Sequence, residues 1–388
     1  MIEFLAKCFI KNHADKQDSS VRQGYGVLCG SVGIALNLLL FAFKFFAGLL
    51  TNSVAITADA FNNRSDAGTS VVTLFGFKLA GQKPDVEHPF GHGRFEYISG
   101  LLVSIAIVLM GFELLKESLA KIFAPAPIAF STLATVILLA SIAVKFYMFL
   151  YNRAVGRAIG SGAMLATATD SLSDCAATSA VLAATLIGER TGLALDGWCG
   201  AAVALLIFVA GFKAAKETIS PLLGQPPAPE FVARIEEIVM SSAAVCGIHD
   251  LIVHDYGPGR VMVSLHAEVS ADGNLLEIHD EIDNVEQQLR RELGCLATIH
   301  MDPIVTDDTR TNETRERVAA LVKLIDPRIS IHDFRMVAGP THTNVIFDAV
   351  VPYGFPLSDR EVEERICDGV RALDGNFFAV VQIDKTYV

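Results

Sequence analysis

Ala58-Asp59-Ala60-Phe61-Asn62-Asn63-Arg64-Ser65-Asp66-Ala67-Gly68 sits inside a long apolar stretch, and so does Thr169-Asp170-Ser171-Leu172-Ser173-Asp174. Working outward from these two segments, apolar stretches occupy roughly residues 27–50, 53–80, 98–123, 128–151, 159–188 and 195–215. Each is near or above the roughly 20 residues that carry a helix across about 30 Å of hydrocarbon. One such stretch could be a buried core helix. Six in succession with short connections predict an α-helical membrane protein with six transmembrane helices.

The composition agrees. Of the 388 residues, 52% are hydrophobic and 19% charged, against about 25% charged in soluble domains, and mean hydropathy is +0.43. Residues 1–223 hold 17 Lys and Arg against 15 Asp and Glu, a net of +2; residues 224–388 hold 14 against 28, a net of −14, which together give the −12 of the chain. A membrane half is thus joined to an acidic soluble half. No basic domain suited to nucleic acid is present. Nor is there a nucleophile–base set or a phosphate-cradling glycine loop, so an enzyme is not expected.

Topology follows from basic residues near the stretch ends. Lys7, Lys11, Lys16 and Arg22 precede the first, Lys78, Lys83 and Arg94 lie between the second and third, Arg153 and Arg157 between the fourth and fifth, and Lys213 and Lys216 close the sixth. Both termini and the acidic half are expected in the cytosol, with the protein in the cell (inner) membrane. Residues 1–21 are polar and amphipathic, so no signal peptide is expected. The cysteines are scattered without a C-x-x-C pair, which fits a reducing compartment.

Ionisable residues within a span are costly and read as functional. Asn62 and Asp66 are four apart and share a helix face, as do Asp170 and Asp174. Asp66 stands about 14 residues from one end of its stretch, and Asp170 and Asp174 about 12–16 from the opposite end of theirs; at 1.5 Å per residue all lie roughly 20 Å in, near the midplane. Asn62, Asp66, Asp170 and Asp174 could therefore face one point, and three carboxylates there require a cation or protons. Interhelical polar glue would suit Ser, Thr or Asn better than three Asp at one depth. Lys44, Glu113, Lys116 and Glu117 lie nearer stretch ends, where snorkelling or pairing suffices. The spacing assigns no role to Lys145 or Arg64.

These features, with the loop Asp85-Val86-Glu87-His88-Pro89-Phe90-Gly91-His92-Gly93-Arg94-Phe95-Glu96-Tyr97, resemble the cation diffusion facilitator family of divalent-metal/proton antiporters. The resemblance covers about residues 20–305. It implies a tetrahedral transport site on Asn62, Asp66, Asp170 and Asp174, and a second metal site on Asp85, His88 and His92. Members that move zinc usually have a His in the transport set, and this chain has none. Oxygen donors suit harder ions such as manganese, so the motifs look like the manganese-exporting branch, with Fe²⁺, Zn²⁺ and Co²⁺ as alternatives.

After a Pro-rich break at 225–229 the pattern predicts helix 230–241, strand 248–256, strand 260–269, helix 275–293 and strand 295–302, an αββαβ order with helices on one face of a small sheet. It resembles the family's cytosolic α+β, ferredoxin-like domain, which implies a homodimer and metal ligands at His249, His266, His279, His300 and Asp302. Residues 306–388 read as a second copy. Gly247-Ile248-His249-Asp250-Leu251 corresponds to Ser330-Ile331-His332-Asp333-Phe334, and Ala297-Thr298-Ile299-His300-Met301-Asp302 to Ala379-Val380-Val381-Gln382-Ile383-Asp384. His332, Asp348 and Asp384 fall at ligand-like positions, but with His300 replaced by Gln382 the second copy is expected to pack, or to pair with the first, rather than to bind metal. The domains are thus expected at 1–223, 224–305 and 306–388. The functional expectation is export of a divalent cation in exchange for protons by alternating access, with a zinc-selective exporter and a non-transporting membrane-bound metal sensor as rivals.

Overall fold

The apolar stretches form helices, and their packing places polar side chains inside and apolar ones outside. In the computed structural model the described residues are 2–16, 18–51, 54–124, 132–191, 196–304 and 308–386. They fall into two compact units, residues 1–225 with 255–260, and residues 226–254 with 261–388.

The first unit contains α1 (Ile2–Phe9), α2 (Ser19–Thr51), α3 (Val54–Ala80), α4 (Phe95–Phe123), α5 (Thr132–Ala158), α6 (Gly162–Thr191) and α7 (Asp196–Leu223). Four segments, Ser20–Phe46, Phe95–Phe123, Thr135–Ala158 and Gly197–Leu223, are long and apolar enough to cross a membrane. The helices α3 and α6 are as long, but the Asp, Asn, Ser and Thr residues they carry lower their hydropathy. Leu39, Phe43 and Phe46 of α2, Phe112 of α4 and Leu206, Val209 and Phe212 of α7 are exposed, whereas Asn37, Ser70, Thr73, Lys145, Asp170 and Ser171 are buried. That inversion suits a hydrocarbon solvent. Glycines let α2 lie close to α3: a Cβ on Gly26 would overlap the Phe77 ring, and one on Gly30 would fall 2.9 Å from Leu74, the small-residue contact typical of membrane helix pairs. The buried pair Arg22–Glu96, 3.3 Å apart, joins α2 to α4. Arg22 also donates to the Ile159 carbonyl at 2.6 Å, which fixes the turn between α5 and α6.

The second unit repeats one αββαβ pattern. It contains α8 (Pro229–Met240), β1 (Val245–Asp255), β2 (Val261–Ser270), α9 (Leu275–Leu293) and β3 (Leu296–Ile304), then α10 (Thr309–Ile325), β4 (Ser330–Ala338), β5 (Thr343–Pro352), α11 (Asp359–Arg371) and β6 (Phe377–Thr386). The sheets are ordered β1-β2-β3 and β4-β5-β6, with β2/β3 and β5/β6 parallel. Alternating burial along β2 and β5 turns one sheet face to the helices. Each copy has its own core: Ile235, Leu265, Val285 and Leu289 in the first, Val318, Phe347, Val362 and Ile366 in the second. Asp250 has φ 51° and Asp333 has φ 50°, so the two copies share even an uncommon left-handed backbone position at the same point of their first strands.

Because the cores are separate, Phe347→Ala is expected to cost about 3–5 kcal/mol. Hydrogen exchange on the intact chain should show faster exchange in β4, β5 and β6, while β1, β2 and β3 keep wild-type protection.

Candidate metal centres

Inside the first unit, α3, α5 and α6 bring charged side chains together. Lys145 Nζ lies 2.6 Å from Asp66 Oδ2 and 2.6 Å from Asp174 Oδ2, and all three side chains are largely buried. Asp170, 4% exposed, accepts a 3.0 Å hydrogen bond from Thr69 Oγ1 of α3. One turn along, the hydroxyls of Thr73 and Thr167 meet at 2.8 Å and hold α3 to α6. The side chain of Asn62 lies outside the described residues.

Lys145 is the member that sequence spacing left without a role. It stands near the middle of α5, so the depth argument that singled out the aspartates applies to it as well. Its partners, however, lie on other helices and follow only from how the helices cross. Its charge changes the balance: three ionised carboxylates and one ammonium leave −2, the charge that one divalent cation neutralises. Buried charge of this kind is tolerated only when paired and hydrogen-bonded.

The loop between α3 and α4 gathers Asp85, His88 and His92, whose ligand atoms lie within 4.8 Å of one another. His88 Nδ1 is 3.5 Å from Asp85 Oδ1 and His92 Nε2 is 3.3 Å from Asp85 Oδ2. The backbone N–H of His88 donates to Asp85 at 2.7 Å and, with the two imidazoles, holds this carboxyl below the usual carboxylate range. His92 is buried, with Nδ1 making no hydrogen bond.

In the second unit Asp302 collects three imidazoles. His249 Nε2 lies 3.0 Å, and His266 Nδ1 2.9 Å, from its Oδ2, and His300 Nε2 lies 3.3 Å from its Oδ1. The parallel register of β2 and β3 sets His266 beside His300 and Glu268 beside Asp302, so one sheet face carries the group. Imidazole and carboxylate at this density suit a first-row divalent metal. His279 does not join them. It is exposed on α9, whose buried side is Ile282, Val285 and Leu289, because those aliphatic residues cover the sheet and leave His279 to solvent.

Residues 31–223 match the cation efflux transmembrane domain, and residues 227–304 match the cytoplasmic domain of cation efflux proteins. An uncharacterized transporter of Methanocaldococcus jannaschii is 30% identical over 277 residues, 70% of this chain and 96% of its own length. The manganese efflux system protein MneS of Bacillus subtilis is 27% identical over 70% of this chain and 94% of its own length. The cation-efflux pump FieF of Escherichia coli is 28% identical over 73% and 95%.

Removing one partner from a buried ionic group costs about 3–5 kcal/mol. Lys145→Ala is therefore expected to lower the Tm of the chelator-treated, detergent-solubilised protein. Added Mn²⁺ should raise the Tm of the variant more than that of the wild type.

Proposed function

Because the chain belongs to the cation diffusion facilitator family, whose members are cation-efflux transporters, we propose that it is a divalent-metal/proton antiporter moving Mn²⁺ out of the cytosol by alternating access. The observation that carries this reading is the buried group of Asp66, Asp170 and Asp174 with Lys145, which with all four groups ionised is two positive charges short of neutrality. A divalent cation or protons satisfy the same deficit, and that equivalence is what an exchanger needs.

Six spans follow if α3 and α6 cross the bilayer with the four more apolar helices, their polar faces turned inward. The basic residues at the span ends then put both termini in the cytosol. Metal reaches Asn62, Asp66, Asp170 and Asp174 from the cytosolic side and displaces Lys145 from the carboxylates. After the protein reorients, protons from outside compete for the aspartates and release the ion. Returning protonated keeps the site from crossing hydrocarbon as bare charge. Asp85, His88 and His92 serve as a further cytosolic site, and His249, His266, His300 and Asp302 sense metal in a homodimer. The all-oxygen donor set supports Mn²⁺ over Zn²⁺, as does the manganese in the names of two Bacillus subtilis relatives.

In proteoliposomes with an imposed pH gradient, Mn²⁺ flux against its own gradient is expected, with coupled proton movement. Asp66→Ala and Asp170→Ala should abolish it, and Asn62→His should raise Zn²⁺ flux relative to Mn²⁺. Metal binding without flux would mark a sensor, flux indifferent to the pH gradient a channel, and wild-type preference for Zn²⁺ a zinc exporter. Each would overturn the reading.

A further inference from the structure

Where the two αββαβ copies of the second unit meet, the ring of His332 stacks on His249, 4.3 Å between centroids and 16° from parallel. His332 Nε2 stands 3.6 Å from Asp384 Oδ2 on β6 and 3.9 Å from Asp250 Oδ1 of the first copy. These separations are too long for hydrogen bonds. Both ring nitrogens of His332 and Asp384 Oδ2 are buried and make no hydrogen bond, and the His332 side chain is only 9% exposed. A buried imidazole with neither nitrogen satisfied is uncommon and calls for an explanation.

The spacing supplies one. Ligand atoms of Asp250, His332 and Asp384 lie within 4.8 Å of one another. Donors bonded to one first-row metal at about 2.1 Å stand roughly 3–3.5 Å apart, close to the distances seen here. One imidazole and two carboxylates form a donor set for Zn²⁺, Mn²⁺, Fe²⁺ or Co²⁺ rather than for Ca²⁺ or Mg²⁺.

The backbone adds an independent observation. Along a regular strand His249 and Asp250 would point to opposite faces. The left-handed φ of 51° at Asp250 breaks that alternation, so His249 faces Asp302 of its own copy while Asp250 faces His332 of the other. A cleft of about 660 Å³ reaches His332 from solvent, with Glu268 and Arg315 among its walls.

We propose that Asp250, His332 and Asp384 bind a divalent first-row metal between the two copies, beside the His249–His266–Asp302 group, and so clamp the repeat within one chain. This proposal keeps the expected pairing of the second copy with the first and adds a metal to it, with ligands drawn from both copies rather than a fainter image of the first set. The site stands or falls independently of transport.

The test is titration of the chelator-treated full-length protein with Zn²⁺ and separately with Mn²⁺, bound metal being counted by mass spectrometry. Asp384→Asn and His332→Gln should each bind one equivalent fewer than wild type, and adding His266→Gln should remove a further one. Should His332→Gln misfold, Asp384→Asn still decides the matter. It is nearly isosteric and relieves repulsion, so its metal-free Tm should equal or exceed that of wild type while its rise in Tm on adding metal is smaller. Wild-type stoichiometry and a wild-type rise in Tm in Asp384→Asn would overturn the site.

Discussion

An ammonium held 2.6 Å from two carboxylates inside a bundle of apolar helices is the constraint on which the rest of the first unit depends. Such a group cannot be left facing hydrocarbon, so α3, α5 and α6 must turn their polar sides to one another, and the apolar residues of α2, α4 and α7 cover the outside. The small residues that bring α2 onto α3, and the Arg22–Glu96 pair that ties α2 to α4, serve the same arrangement.

The second unit resolves its negative charge differently. Asp250, Asp302 and Asp384 gather where two copies of one small fold meet and are interleaved with imidazoles from both. Burial, together with Asp384, Asp333 and Asp250, pushes the Asp348 carboxyl up to about 6, and burial pulls the His332 imidazole down. Both directions reflect sparse water, which disfavours the charged form of either group; the crowded carboxylates add to the rise at Asp348 and oppose the fall at His332. Duplication within one chain holds such an interface at a fixed local concentration, whereas two separate chains must find each other.

Much of this was legible from residue order. Apolar length marked the helices, even where polar residues interrupt it in α3 and α6, and the order of helix and strand from α8 to β3 followed from alternation and turn residues. The repeat of Ile-His-Asp in the two copies pointed to the shared strand that carries both left-handed aspartates. What could not be read is what depends on crossing elements. Lys145 has no partner within four residues on α5, so its two carboxylates come only with the bundle. His279 occupies a family ligand position, yet the aliphatic side of α9 sets its direction. The role of Asp250 was hidden because strand alternation sends it away from His249, and only the backbone at that residue reverses this.

The donor sets of the two units differ, carboxylates with a lysine in the first and imidazoles with carboxylates in the second, and the difference suits the proposed tasks. A transport site has to release its ion on every cycle. In the proposed cycle, oxygen ligands that a resident lysine and protons can both neutralise would give a binding energy that is readily opposed. A site that reports or clamps has to hold its ion. Imidazoles paired with aspartate, on a sheet face braced by its own core, suit first-row metals better and give them up as the histidines protonate. The first unit thus offers oxygen donors, and the second adds imidazole nitrogen. The asymmetry follows from where nitrogen is present and where it is not: among the ten histidines none falls within α3 or α6, whereas four meet around Asp302 and Asp384.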